Sequence, residues 1–203
     1  MISLEEILER WIPYRLQAIE TLQFAWDWIA ESDVPREVVV LVDGQKKLQG
    51  NVAAIANPMI EIGFIHARAL LEFLGLSASR GRLVQITKRR PGDVAVEHYS
   101  TPAKPLSKAT PASALAAYPG PREEAEGALV SIFELTNKLA AHITDGVCSE
   151  QWTDNHLDIA CRGIPVLVHN HLYAKLGRPA PAAPQVLPHA ANISIQRTRC
   201  ARR

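Results

Sequence analysis

Asn137, Lys138 and His142 bring chemistry-bearing side chains together in the stretch Leu135-Thr136-Asn137-Lys138-Leu139-Ala140-Ala141-His142-Ile143-Thr144, a polar cluster on an otherwise apolar helix. An imidazole titrates near neutrality and passes a proton in either direction, as general acid–base chemistry requires. Such a step also gains from a cation where negative charge develops. Lys138 lies one helical turn from His142. Arg68 is a second candidate cation if its helix faces this one, and Arg68 and Glu72, a turn apart, can act as a positioned pair. The same residues have a structural reading. An Asn and a His at the edge of an apolar stripe hydrogen-bond a neighbouring helix or loop, and a lysine there lays its stem along apolar surface.

Two further chemistries can be weighed. His66 and His142 fall on or near apolar stripes, and His156, His169 and His171 crowd the last helix, so three imidazoles could converge on a metal within a helical bundle. The spacing argues against it, since His169 and His171 point to different sides of a helix and neither an HxxxH nor an ExxH pair occurs. No cofactor is expected. Arg80, Arg82, Lys88, Arg89 and Arg90 form a basic cluster that can touch RNA phosphates, or equally be a solvated loop, since no aromatic platform is interleaved with it. A GxSxG elbow, a Walker loop and a glycine-rich dinucleotide fingerprint are all lacking.

The elements that must position these residues read as helices. With 203 residues, 47% of them hydrophobic, the chain can build one domain with a sizeable core. A net charge of +1 gives no global attraction to nucleic acid or membrane. Cys148, Cys161 and Cys200 contain no CxxC pair and read as reduced thiols, and the absence of a long apolar run or a signal segment points to a cytoplasmic protein with no membrane partner. Ser3-Leu4-Glu5-Glu6 fits a capping box, and a helical stripe runs to about Ser32 with Pro13 expected to interrupt it. A second helix starts near Asp33 or Gly44. It takes in Val38-Val39-Val40-Leu41-Val42, because the helical period continues through Leu48, Val52 and Ile55 and no other strong strand is available to pair. Asn57-Pro58 caps a third helix, with Ile62, His66, Ala69, Leu70 and Phe73 on its buried face. Residues 77 to 121 hold six prolines and read as an insert of the flap or mobile-excursion kind, with a short extended piece at Asp93 to Glu97. A fourth helix begins at Arg122 and ends at Asp145-Gly146, and a last one runs from about Thr153 to Leu176, bends at Pro165 and stops at Gly177. Residues 178 to 203, rich in proline, alanine and arginine, read as a tail.

These elements predict an all-α antiparallel bundle of four to five helices over residues 1 to 177. The run His66-Ala67-Arg68-Ala69-Leu70-Leu71-Glu72-Phe73-Leu74, the proline-rich insert containing Gly92-Asp93-Val94, and Asn137 to Thr144 together resemble small bacterial HEPN-like helical proteins. The resemblance implies a homodimer paired through its motif helices. The family's ribonucleases carry an Arg, four to six residues, then a His, and cut RNA without metal at a site shared by two subunits. Here His142 matches the histidine, whereas Asn137, Thr136 and Leu135 stand where the arginine would be. The expectation is therefore a non-catalytic interaction or nucleic-acid-associated module. The alternative is a metal-independent ribonuclease using His142, Asn137, Lys138 and Arg68.

Overall fold

A computed structural model of the chain describes residues 2–31, 34, 36–140 and 153–181. Ser3 opens the first helical turn, Leu4–Glu6, its Oγ accepting the Glu6 N–H at 3.2 Å as the capping pattern requires. A wide π turn, Ile7–Trp11, leads into α1 (Ile12–Ala30). Pro13 falls in the first turn of α1, where its missing N–H has no helical partner to lose, so it starts this helix rather than interrupting one.

The segment expected as a second helix is a hairpin. β1 (Glu37–Val42) pairs antiparallel with β2 (Gln45–Asn51) across Asp43-Gly44, both with positive φ (52° and 74°). Asp-Gly favours such a turn, its twist suits flanking strands, and Val38 to Val42 is rich in β-branched side chains. The partner strand is the polar Gln45-Lys46-Lys47-Leu48 run, whose composition concealed it. The all-α expectation is corrected accordingly: the described residues are 60% helix and 13% strand.

Helix α2 (Ala53–Leu74) begins before the predicted cap and carries Pro58 inside it. His66, Leu70 and Phe73 are buried as expected, while Ile62 is exposed. Gly75, at φ 96°, ends the helix in the left-handed conformation. From there the insert folds back onto the core. β3 (Leu76–Ser79) pairs with β4 (Arg82–Gln85), a 3₁₀ turn spans Val96–Tyr99, and Thr110 and Ser113 close a capping box on the short α3 (Pro111–Leu115). Leu83, Ala95, Val96, Leu106, Ala109 and Ala114 are buried. The insert is thus built into the core and is not the excursion its proline content suggested. Its prolines lie at turns and at a helix start, where no backbone donor is missed.

Helix α4 (Arg122–Leu135) passes into a π turn, Thr136–Ala140, and α5 (Asp154–Val168), capped by Thr153, continues through a π turn (His169–Tyr173) to Gly177. Leu157, Ala160, Cys161, Ile164, Leu167, Val168 and Leu172 face the core as the period predicts. The most extensive helix packing is α1 on α2, followed by α4 on α5. Gly63 permits the first of these: a Cβ there would lie 2.4 Å from Leu22 Cβ. Arg178, first residue of the predicted tail, forms a two-pronged ion pair with Glu5 at 2.8 and 2.5 Å.

Candidate functional site

The motif region begins where α4 widens. A π turn arises when one extra residue enters a helix, and such turns concentrate at functional sites. Thr136, buried, ties it down: its hydroxyl donates to the Ile132 carbonyl at 2.6 Å and reaches the Phe64 carbonyl of α2 at 3.3 Å. Asn137 is thereby exposed at the seam between α4 and α2, with Lys138 half-buried beside it. His142 lies outside the described residues.

The facing helix brings Arg68. Its Nη1 donates to Asn137 Oδ1 at 2.5 Å, its Nε donates to Glu72 Oε1 at 2.8 Å, and its guanidinium stands 5.8 Å from the centre of the Phe133 ring. The helices of the two predicted motifs do face each other. Arg68 is thereby placed beside Asn137 from another element. Glu72 and Asn137 together hold the guanidinium in one place, which suits recognition of a fixed anion.

Arg68 also lines an open cleft of about 740 Å³ between α1, α2 and the insert. Its walls carry Arg15, Arg68, Lys88, Arg89 and Arg90 against Glu72 and Asp93, so cations outnumber anions there. Trp11, Ile12, Phe73, Ile86 and Val94 supply an apolar lining. Arg15 is half-buried on α1 and its Nη1 lies 2.9 Å from His66 Nδ1, with the Tyr14 ring edge-on to the imidazole at 5.1 Å. Burial and the neighbouring Arg15 charge depress the His66 pKa to about 4. His66 is therefore neutral near pH 7, with Nδ1 accepting and its proton on Nε2. Arg15 itself is pushed below the usual guanidinium value by burial.

The basic cluster divides by role. Arg89 is a structural clasp: it grips Glu97 through two bonds of 2.9 and 3.0 Å and donates to the Glu72 and Phe73 carbonyls at the end of α2. Burial raises the Glu97 pKa, but Arg89, aided by Lys108, outweighs it and holds the carboxyl below the usual range. Lys88 and Arg90 are exposed and line the cleft. Arg82 pairs with Glu126 at 3.2 Å on the surface, and Arg80 sits at the exposed β3–β4 turn with φ 51°. Neither lines the cleft.

The described candidate histidines form no cluster. His66 faces Arg15, His156 Nδ1 lies 3.4 Å from the Thr153 hydroxyl at the start of α5, and His169 and His171 belong to the π turn after it. Among the described residues no group of three His, Cys, Asp or Glu side chains is placed to hold a metal. No described helix is long and apolar enough to cross a membrane. Burial raises the Cys161 pKa to about 12, so this thiol is an inert core group. Sequence reasoning missed Arg15 because its partner is remote: Arg15 and His66 are 51 residues apart.

No protein-family model matches the chain, and no curated protein and no solved structure matches it.

Proposed function

We propose that this protein is a HEPN-like helical module that associates with RNA without cutting it, the phosphodiester backbone running along the cleft rim past Arg68, Lys88 and Arg90. The observation that carries the reading is Arg68, fixed by Glu72 and Asn137 across two helices at the mouth of a cation-rich cleft. A pre-positioned guanidinium loses little freedom when it takes a phosphate, and the flanking exposed cations each neutralise a further one. A homodimer, as in the resembled family, belongs to this reading, and sedimentation at high concentration giving a strict monomer would remove it.

Fluorescence anisotropy with a labelled single-stranded RNA tests the binding. Lys88→Ala with Arg90→Ala should weaken it and reduce the slope of log affinity against log salt by roughly 1.4, about 0.7 for each phosphate no longer neutralised. Wild type that shows no saturable binding at low salt ends the reading.

A second reading, a metal-independent ribonuclease, draws support from the same Arg68, a cation bonded to Asn137. His142 would then move the proton and Asn137 and Lys138 would orient the phosphate. Incubating wild type and His142→Ala with mixed RNA in EDTA, with melting temperatures measured for both, separates the two readings. Cleavage lost in a variant of unchanged stability selects the enzyme. Intact RNA with both proteins selects the binding module, and that is the expected result.

A further inference from the structure

We infer that the part of the cleft lined by Arg15 and Trp11 is a pocket for a single nucleotide, with the phosphate monoester on Arg15 and the base against the Trp11 ring. The inference takes its ligand class from the RNA-binding reading of the same cleft and adds a defined terminus to it.

Arg15 is an unusual surface for a protein to retain. Taking a guanidinium out of water is costly unless a carboxylate accompanies it. Among the described residues the partner Arg15 has is the imidazole of His66, which is neutral and engages one of five N–H groups. The positive charge thus stays uncompensated, on a wall where further cations follow and the two acids of the cleft lining are otherwise occupied: Glu72 holds Arg68, and Asp93 accepts the Arg90 backbone N–H at 2.9 Å. An anion settling here would restore the balance. A phosphate monoester fits best, because its oxygens take paired N–H bonds from a planar guanidinium and its second charge matches the surplus.

The rest of the lining selects what the phosphate is attached to. Trp11, 37% exposed, comes from the π turn that precedes α1, four positions before Arg15, and its Nε1 is held by Glu6 Oε1 at 3.3 Å. A held indole that shares the cleft lining with apolar and cationic side chains can stack on a flat ring. Ile12 and Phe73 belong to that lining. A cleft of about 740 Å³ admits a whole nucleotide. Free nucleotide and the phosphorylated end of an RNA strand present the same chemistry to this pocket.

Calorimetric titration of the full chain tests it, using AMP, adenosine and inorganic phosphate as separate probes, and one RNA sequence with either a 5′-phosphate or a 5′-hydroxyl. AMP should bind more tightly than adenosine or phosphate alone. A 5′-phosphate preference in the oligonucleotide would assign the strand end as the source, and AMP binding without such a preference would assign the free nucleotide. Arg15→Gln should weaken AMP by about tenfold or more, as expected for removing a charged hydrogen-bond donor. Trp11→Ala should weaken it comparably, as expected for removing a stacking surface. It decides the matter should Arg15→Gln fail to fold by circular dichroism. The inference is overturned if AMP fails to bind while both oligonucleotides bind equally, a result that leaves the RNA-binding reading standing. It is also overturned if AMP binds folded Arg15→Gln as it binds wild type. AMP binding that depends on Arg15, with RNA of either kind unbound, would keep the pocket and remove the RNA.

Discussion

His66 shows how one side chain can look like a ligand and act as a brace. Its neighbours Arg15 and Tyr14, both on α1, leave it no room to become cationic, and burial depresses its pKa to about 4 from an ordinary 6.5. Between those two values the unfolded chain takes up a proton that the folded chain refuses. Stability is therefore full above pH 6.5 and falls as the pH drops toward 4, by on the order of 3 kcal/mol if the whole shift is expressed. Half-buried His171, also lowered, adds a smaller slope of the same sign. Urea melts from pH 7.5 to 4.5 on wild type and His66→Gln should show a markedly flatter dependence in the variant, and an unchanged slope would reject the assignment. At this scale the sequence offered Asn137, Lys138, Arg68 and His142 as candidates and paired Arg68 with Glu72, but did not show the bond between Arg68 and Asn137; His142 lies outside the described residues. Arg68 and Asn137 are 69 positions apart, and nothing local in either helix encodes which residue of the other it will meet.

At the level of elements, periodicity served where an element buries a single stripe. The face of α5 was read residue by residue because seven apolar positions recur at helical spacing and all are buried. The hairpin was misread because β1 alone carries the β-branched signal and its partner is polar. Asp43-Gly44 was the available clue, since that pair in a two-residue connection demands positive φ twice. The α1 and α2 crossing yields a sharper expectation. Gly63→Ala would force a methyl to 2.4 Å from Leu22 Cβ and 3.1 Å from the Ala18 carbonyl, clashes that backbone movement alone can relieve. A destabilisation of about 1–3 kcal/mol should follow, read from denaturant midpoints, despite the better helix propensity of alanine. Gly163→Ala, where an added Cβ meets nothing within 4 Å, should show no such loss, and equal destabilisation at the two glycines would reject the clash.

Across the whole molecule, the insert is fastened at the C-terminal end of α2. Gly75 turns left-handed, the Leu74 carbonyl accepts from Ala109 at 2.8 Å, the Gly75 carbonyl accepts from Ile86 at 2.8 Å, and Arg89 with Glu97 closes the group. Arg89→Ala leaves Glu97 half-buried without its main counter-charge and frees two helix-end carbonyls. It should cost about 3 kcal/mol, and the melting temperature should respond as one transition, since the insert contributes to the single core. Separate unfolding of the insert would contradict that. None of this was legible beforehand: proline density reads as irregular chain, and irregular chain can still be buried when its carbonyls and amides find partners.

The first turns of the chain are held from far away. The Leu8 carbonyl accepts the Tyr173 hydroxyl at 2.7 Å across a separation of 165 residues, the Ile2 carbonyl accepts Tyr99 at 2.9 Å, and Glu5 waits for Arg178. A ribosome releases these partners in one order, beginning first. The turns around Ile2, Glu5 and Leu8 therefore lack these partners until late in synthesis, and the finished arrangement can close only after Tyr173 and Arg178 have left the exit tunnel. Local packing such as α1 on α2 can form early, whereas these long-range bonds close the fold last.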